Sequence, residues 1–300
     1  MTQPIIELQA LTHRYGHFTA IKELTLSVER GEIFGFLGPN GAGKTTTIRT
    51  LLDFIRPNEG AARLFGLDSV RDSLAIRTRI GYLPSELKLW ENWTGEQYIQ
   101  WLETVRGGVS LLPEGQRLAE RLDYDLQRPL SGMSTGMKRK MGLIAAFVHQ
   151  PDLLILDEPT TGLDPLMQQV FYDLMLEVKA QGRTAFVSSH ILPEVEHICD
   201  RVGIIRQGEL KAVERVDKLT HVAFRWLTLE MNGLASVDSF AQLDGVSEVS
   251  ADGSALRMRM SGAASMDAVI KLAAQHSIKD IKIEQPSLEE IFLSYYNHQC

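Results

Sequence analysis

Gly38-Pro39-Asn40-Gly41-Ala42-Gly43-Lys44-Thr45 fits the pattern G-x-x-x-x-G-K-[ST], a loop suited to holding a chain of phosphates. Its three glycines let the backbone curl so that successive N–H groups point at one phosphate chain. A helix beginning here adds the partial positive charge of its N-terminus. In such a loop Lys44 reaches the β- and γ-phosphates, and the Thr45 hydroxyl ligates Mg²⁺. Further on, the apolar run 153–156 ends at Asp157, placed to hold that Mg²⁺. Glu158 follows at once, a natural base or water-orienting carboxylate. His190 ends the next apolar run and comes close to the γ-phosphate if the two strands are neighbours. Taken singly, Gly38 to Thr45 could be a bare turn, Asp157-Glu158 a helix cap with a solvated neighbour, and His190 a hydrogen-bonded strand-end histidine. Their order favours phosphoryl transfer to water, which needs a cradle, a metal, a water-positioner and charge stabilisation.

The elements that must position these groups are legible in outline. The run 33–37 reads as a buried strand and 46–55 as a helix, so the glycine loop has the strand–loop–helix context that it requires. Residues 5–11 and 24–28 alternate loosely, as strands do. Between them, His13-Arg14-Tyr15-Gly16 offers an aromatic that could stack on a base or simply pack in a turn. Arg56-Pro57-Asn58-Glu59-Gly60 is a turn, and 61–65 and 80–83 are short strands. Strands at 153–156 and 184–188 alternate with helices at 134–148 and from Pro165 to about Gln181. Strands 202–205 and 210–213 form a hairpin about Gln207-Gly208-Glu209. The alternation implies a mostly parallel sheet covered on both faces, an α/β fold, with ligands at the carboxyl ends of its strands.

Residues 86–130 change character. A capping box, Thr94-x-x-Gln97, opens a helix to about Val105, and Pro113 opens another to about Leu122. This is a helical insertion, spanning about 86–150, whose Trp90, Trp93, Tyr98 and Trp101 are expected to form its small core or, exposed, to meet a partner. A boundary is expected near 219–225. Beyond it come strands at 224–231, 246–250, 255–260 and 279–283, a helix at 266–274, and a final helix opened by the capping box Ser287 to Glu290. That is a small α+β domain with no chemical motif, giving domains 1–220 and 221–300.

Composition narrows the function. The net charge is −7, and neither part is basic, which argues against nucleic acid. Two cysteines, Cys199 and Cys300, make neither a metal pair nor a disulfide framework. No signal peptide and no run of about 18 apolar residues is visible, so any service to a membrane is expected to be peripheral.

These motifs together resemble the ATP-binding-cassette (ABC) ATPase family over about residues 5–215. Residues 153–160 match its Walker B segment, Thr161-Gly162-Leu163-Asp164-Pro165 its D-loop, Ser188-Ser189-His190 its histidine switch, and Tyr15 the aromatic that stacks on adenine. The signature sequence falls at Met133-Ser134-Thr135-Gly136-Met137 by its distance from Asp157, with Leu130 to Gly132 left as a connecting turn. Ser134 would also cap the helix that follows. The family's usual glutamine after the strand 80–83 is replaced by Ser85, which could touch Mg²⁺ through water, or Glu86 could act instead. The resemblance implies ATP held by residues 38–46, Thr46 included, with Tyr15 and with Ser134, Gly136 and Asp164. It implies Mg²⁺ on Thr45 and Asp157, with Ser85 a further candidate, and catalysis by Glu158, His190 and Lys44. Residues 286–293 and 133–140 resemble ATPase subunits of ABC-2 type export systems. The implied partners are a second ATPase subunit, identical or a close paralogue, and separate membrane-spanning permease subunits, with the chain on the cytoplasmic face of the cell membrane. The alternative is an ABC ATPase of translation, repair or regulation.

Overall fold

The computed structural model describes residues 3–221, 224–231, 237–261, 266–284, 286 and 290. Two units divide the chain, Met1–Val216 and Asp217–Cys300. In chain order the first holds β1 (Ile6–Tyr15), β2 (Phe18–Val28), β3 (Ile33–Leu37), α1 (Lys44–Leu51), β4 (Glu59–Leu64), β5 (Leu67–Asp68), α2 (Ser73–Thr78) and β6 (Ile80–Leu83). There follow α3 (Gly95–Val105), α4 (Leu112–Arg121), α5 (Thr135–Phe147), β7 (Leu153–Asp157), α6 (Pro165–Ala180), β8 (Thr184–Ser189), α7 (Leu192–Ile198), β9 (Arg201–Arg206) and β10 (Glu209–Arg215).

β3, β7 and β8 bury every residue, as strands covered on both faces must. They sit inside a six-stranded sheet of order β10-β9-β3-β8-β7-β6, parallel except at the β10 edge. A second, antiparallel sheet has order β2-β1-β4-β5. Phe34, Phe36, Ile48, Leu51, Ile155 and Phe186 share one core with Leu8, Leu26 and Leu64 of that second sheet. The fold is therefore α/β with an antiparallel β subdomain and a helical insertion, as expected.

Several boundaries moved, each for a physical reason. β1 and β2 run on to a two-residue turn at Gly16-His17, so His13, Arg14 and Tyr15 are strand residues; register shifts after Leu8 and Leu11 break the alternation that would have shown it. α1 stops at Leu51, four residues early. Asp53 takes a left-handed φ of 54°, Phe54 N–H returns to Arg49 O at 2.9 Å, and Asp53 N–H reaches Thr50 O at 3.2 Å, which together make a Schellman ending. Helices α2 and α7 had no sequence expectation, although Pro193 at the start of α7 was a usable signal.

The four insertion aromatics cluster as expected, but the cluster is only partly buried and the fully buried positions of the insertion are others. Trp90, Trp93, Tyr98 and Trp101 stack on one another with centroids 4.5–6.5 Å apart, and Trp90 is 46% exposed. On α3 Gly95 and Ile99 are the buried residues, and Tyr98 and Trp101 are partly buried beside them. Ile99, Leu118, Leu122 and Met141 are among the buried residues of the insertion.

After α8 (Val216–His221), the second unit contains β11 (Arg225–Met231), α9 (Val237–Ala241), β12 (Val246–Asp252), β13 (Ala255–Met260), α10 (Met266–Ala273) and β14 (Ile278–Glu284). Its sheet, order β12-β13-β11-β14, is antiparallel, and Leu227, Leu229, Leu256 and Met258 pack with Phe240 and Val269. The five-residue α9 is an addition to the expected pattern. The capping box at Ser287 and the helix after it lie outside the described residues, Glu290 apart. No described helix is long and apolar enough to cross a membrane.

Candidate functional site

Strand order assembles the chemistry. β8 lies between β3 and β7, with Leu37 opposite Ser189 and Asp157 opposite Ser188. The segments leaving these three strands at their carboxyl ends are the glycine loop, the His190 corner and the Asp157-Glu158 turn. The condition on which His190 depended, neighbouring strands, is met. Gly38 N–H donates to Ser189 O at 3.2 Å, tying the glycine loop to the His190 corner.

The loop closes over the start of α1. Gly43, its N-cap, has φ of 111°, and a Cβ there would stand 2.6 Å from Ala20 O, so no other residue fits. Lys44, 5% exposed, donates to Gly38 O at 2.7 Å and Pro39 O at 3.2 Å, and its ammonium lies 3.3 Å from Glu158 Oε1. Thr45 Oγ1 donates to Asp157 Oδ2 at 2.8 Å. Asp157, wholly buried, also accepts from the Ser188 hydroxyl. Glu158 faces His190, whose Nδ1 is 3.2 Å from its Oε1.

Glu158 is itself in the left-handed region, at φ of 50°. A non-glycine residue there costs about 1–3 kcal/mol and persists only where its surroundings over-determine it. Its N–H donates to Ser188 Oγ at 3.1 Å and Ser188 O at 3.2 Å, and its C=O accepts from Arg139. The main chain of Glu158 is thus gripped from both ends.

A cleft of about 230 Å³ opens over this floor, lined by Tyr15, Phe18, Ala20, Asn40, Gly41, Gly43, Lys44, Thr45, Thr46 and Glu158. Tyr15 is 46% exposed and Phe18 63%, two aromatic rings at the mouth facing the solvent. A purine base can stack there while its phosphates reach the loop. Gly38 and Ala42 are buried and Pro39 is exposed, and none of the three lines the cleft.

Ser134, Gly136, Asp164 and Ser85 are not among the lining residues. Ser134 caps α5, its Oγ accepting from Met137 N–H at 3.3 Å. Asp164 caps α6, its Oδ1 accepting from Met167 N–H at 3.0 Å. Gly136 packs so closely on the segment before α6 that a Cβ there would lie 2.6 Å from Gly162 O. Ser85 is held by its main-chain carbonyl, which accepts from Arg139 at 3.2 Å.

Sequence reasoning missed four contributors. Ser188 grips both Asp157 and Glu158. Phe18 joins Tyr15 at the mouth. Glu194, 6% exposed, accepts from Thr160 and from Ser189 Oγ (2.7 Å), bracing the segments on either side of His190. Arg139, 4% exposed, is the fourth. Flanked by Lys138 and Lys140 it has the look of a solvated charge, yet its spacing to Gly142, Leu143 and Ala146 places it on the buried face.

Two hard oxygen donors, Thr45 Oγ1 and Asp157 Oδ2, meet beside the loop, which fits Mg²⁺ completed by phosphate oxygens and water.

Comparison with known proteins agrees with this geometry. A family described as "ABC transporter" matches residues 21–161, and one described as "ATP-binding protein DrrA1-3-like, C-terminal domain" matches residues 223–296. The bacitracin transport ATP-binding protein BcrA of Enterococcus faecalis is 37% identical over 215 residues, 71% of this chain and 69% of that one. The linearmycin resistance ATP-binding protein LnrL of Bacillus subtilis is 30% identical over 307 residues, 97% of each. A solved ATP-binding subunit of an ABC transporter superposes with a TM-score of 0.65 at 32% identity, covering 72% of this chain and 91% of that one.

Proposed function

This chain belongs to the ATP-binding subunits of ABC transporters, and from that premise we propose that two copies, or one copy and a close paralogue, close on two ATP molecules to drive an export permease of the ABC-2 type. It is a transport ATPase. Each ATP lies with its base against Tyr15 and Phe18 and its phosphates on residues 38–46, Lys44 at the β- and γ-oxygens. Thr45 and Asp157 hold Mg²⁺, which supplies charge neutralisation at the phosphates when bound. Glu158 orients the attacking water, and His190, beside it, meets the γ-phosphate. Ser85 is a further candidate to meet Mg²⁺ through water.

The observation that supports the reading is that Ser134 caps the N-terminus of α5 and so leaves a helix start suited to phosphate, while other residues line the cleft over the P-loop. The first turn of α5 directs N–H groups outward along its axis, a place for phosphate, and a second copy supplies one. Closure then moves the helical insertion, which pushes on the permease, and hydrolysis reopens the pair. The chain works from the cytoplasmic face, bound through the permease. Residues 1–220 form the nucleotide-binding domain and 221–300 an accessory domain. The names of the bacitracin and linearmycin relatives favour an antibiotic-like cargo.

The test is complementation. Lys44→Ala and Ser134→Ala chains are each inactive alone. Mixed, half of the dimers hold one intact site, and about a quarter of wild-type turnover returns. Mixed dimers that form with ATP yet stay inactive would refute the shared site.

A further inference from the structure

Arg139 has all five of its N–H groups committed to main-chain carbonyls. Nε donates to Pro159 O at 3.2 Å, Nη1 to Pro84 O at 2.6 Å and Ser85 O at 3.2 Å, and Nη2 to Asp157 O at 2.9 Å and to Glu158 O. Guanidinium has five donors in a rigid fork, so the side chain is fully used. Its burial lowers its pKa, and the charges of Asp157 and Glu158 work against that lowering. Arginine stays protonated regardless. The carboxylates of Asp157 and Glu158 are spent elsewhere, on Thr45 and Ser188 and on Lys44 and His190. A buried cation that meets carbonyls from two separate loops, and takes its charge compensation at a distance, is costly to keep for packing alone.

What it joins is specific. One loop is Pro84-Ser85, between β6 and the helical insertion, where serine stands in place of the glutamine that the sequence pattern leads one to expect. The other is the turn 157–159, in which Glu158 holds its left-handed φ of 50°. The guanidinium itself rides on α5, the helix capped by Ser134. Three moving parts of the proposed cycle thus meet at one planar group: the helix facing the second copy, the loop leading to the insertion, and the carboxylate that orients water.

We propose that Arg139 is a positioning residue for hydrolysis, fixing the Glu158 peptide in register with the Pro84-Ser85 loop and with the Ser134-capped helix. Ser188 holds the N–H end of the Glu158 main chain and Arg139 the C=O end. Displacing α5 or the 84–85 loop shifts that carbonyl and with it the aim of the carboxylate. The link runs through main-chain carbonyls, so it needs no particular side chain at position 85. This rests on the reading of Glu158 as the water-orienting carboxylate.

The experiment is a double-mutant cycle on the full chain with Arg139→Lys and Glu158→Gln. Lysine keeps the charge and loses the fork. Arg139→Lys lowers kcat by about 10- to 100-fold, the size expected when a catalytic group is misplaced by an ångström or less. KM for ATP and equilibrium ATP affinity change little even though the thermal midpoint falls, because buried carbonyls lose donors; a lower kcat at unchanged affinity is a split that a merely structural lesion does not give. In single-turnover measurements the residual hydrolysis of Glu158→Gln is not lowered further by adding Arg139→Lys, because the arginine acts through the group already removed. A second variant, Arg139→Gln, retains two donors and falls at or below the lysine variant in kcat with the same KM. Additive losses in the cycle, or a KM that rises in step with a falling thermal midpoint, overturn the proposal while leaving the site reading intact. Wild-type turnover in Glu158→Gln alone overturns the reading of Glu158 and the proposal with it.

Discussion

Replacing Glu158 by Gln changes one oxygen for an NH₂ group and removes a charge that the Lys44 ammonium and the His190 ring share. Lys44 Nζ lies 3.3 Å and His190 Nδ1 3.2 Å from the same oxygen, Oε1, and the side chain is 20% exposed. Two consequences follow with opposite signs. Loss of the water-orienting carboxylate lowers kcat by about 10²- to 10⁴-fold, the usual worth of a positioned base. The ground state moves the other way. At 3.3 Å and an effective dielectric constant of 20, the Lys44–Glu158 attraction is about 5 kcal/mol gross. Most of it is offset, because Lys44 keeps the Gly38 and Pro39 carbonyls and glutamine still offers an amide oxygen. A net release of about 1 kcal/mol is left, so ATP binds the variant about five-fold tighter. The carboxylate's repulsion of the incoming γ-phosphate acts in the same direction. Equilibrium titration with a fluorescent ATP analogue reads the affinity, and single-turnover phosphate release with Mg²⁺ reads the chemistry. Weaker nucleotide binding by Glu158→Gln would show that Glu158 presents Lys44 to the phosphates instead of competing with them. Turnover within three-fold of wild type would remove Glu158 from the chemical step.

Other outcomes can be read from the same geometry. Tyr15→Ala and Phe18→Ala each raise the Kd for ATP by about ten-fold, since stacking on a base is worth about 1–3 kcal/mol; isothermal titration checks this, and an unchanged Kd for Phe18→Ala removes it from the base site. His149 predicts a pH dependence of stability. Burial first, then the charge of Arg106, depress its pKa to about 4, although its Nε2–H donates to Ile80 O at 3.1 Å, a bond that works the other way. The folded value lies below the ordinary 6.5, so the unfolded chain binds the extra proton. The contribution is complete above pH 6.5 and is lost as pH falls toward 4, with a slope of at most about 1.4 kcal/mol per pH unit. Urea midpoints measured between pH 7 and 5 fall for the wild type and flatten for His149→Gln; identical slopes would count against the assignment.

The phosphate loop, the Walker B pair and His190 were legible because their chemistry is local in sequence and their spacing is set by single strands. β3, β7 and β8 were readable as short apolar runs for the same reason. What escaped depends on packing that no local pattern carries. Arg139 looks like a solvated charge between Lys138 and Lys140, and only its period with Gly142, Leu143 and Ala146 places it inside. Ser188 is one of two serines ending a strand, and its grip on Asp157 exists only because β7 and β8 pair in register. The aromatics of α3 misled in the other direction. Their hydrophobicity suggests a core, but Trp90 is exposed and Tyr98 and Trp101 are only partly buried, in a cluster of their own. The end of α1 was set by a left-handed Asp53, which propensity does not announce.

Strain and sharing are connected in this site. A left-handed Glu158 places its carboxylate between Lys44 and His190, where an ordinary strand ending would turn it away. Keeping it there takes Ser188 on the N–H side and Arg139 on the C=O side, two groups from different elements. Ser188 belongs to the rigid parallel sheet and moves with the P-loop strand. Arg139 belongs to α5, whose capped end is spent on the proposed second copy and not on its own chain's cleft. On the proposed reading, the aim of Glu158 therefore has one anchor in the sheet and one on α5. Both anchors are engaged in the single chain, so under the proposed role of Glu158 a displacement of α5 at the dimer contact would change the aim of its carboxylate. Because Arg139 also holds the carbonyls of Pro84 and Ser85, the same anchor constrains the loop that leads into the helical insertion. Position 85 can then lack the glutamine side chain and still leave the insertion tied to the nucleotide, since the tie is made by the main chain.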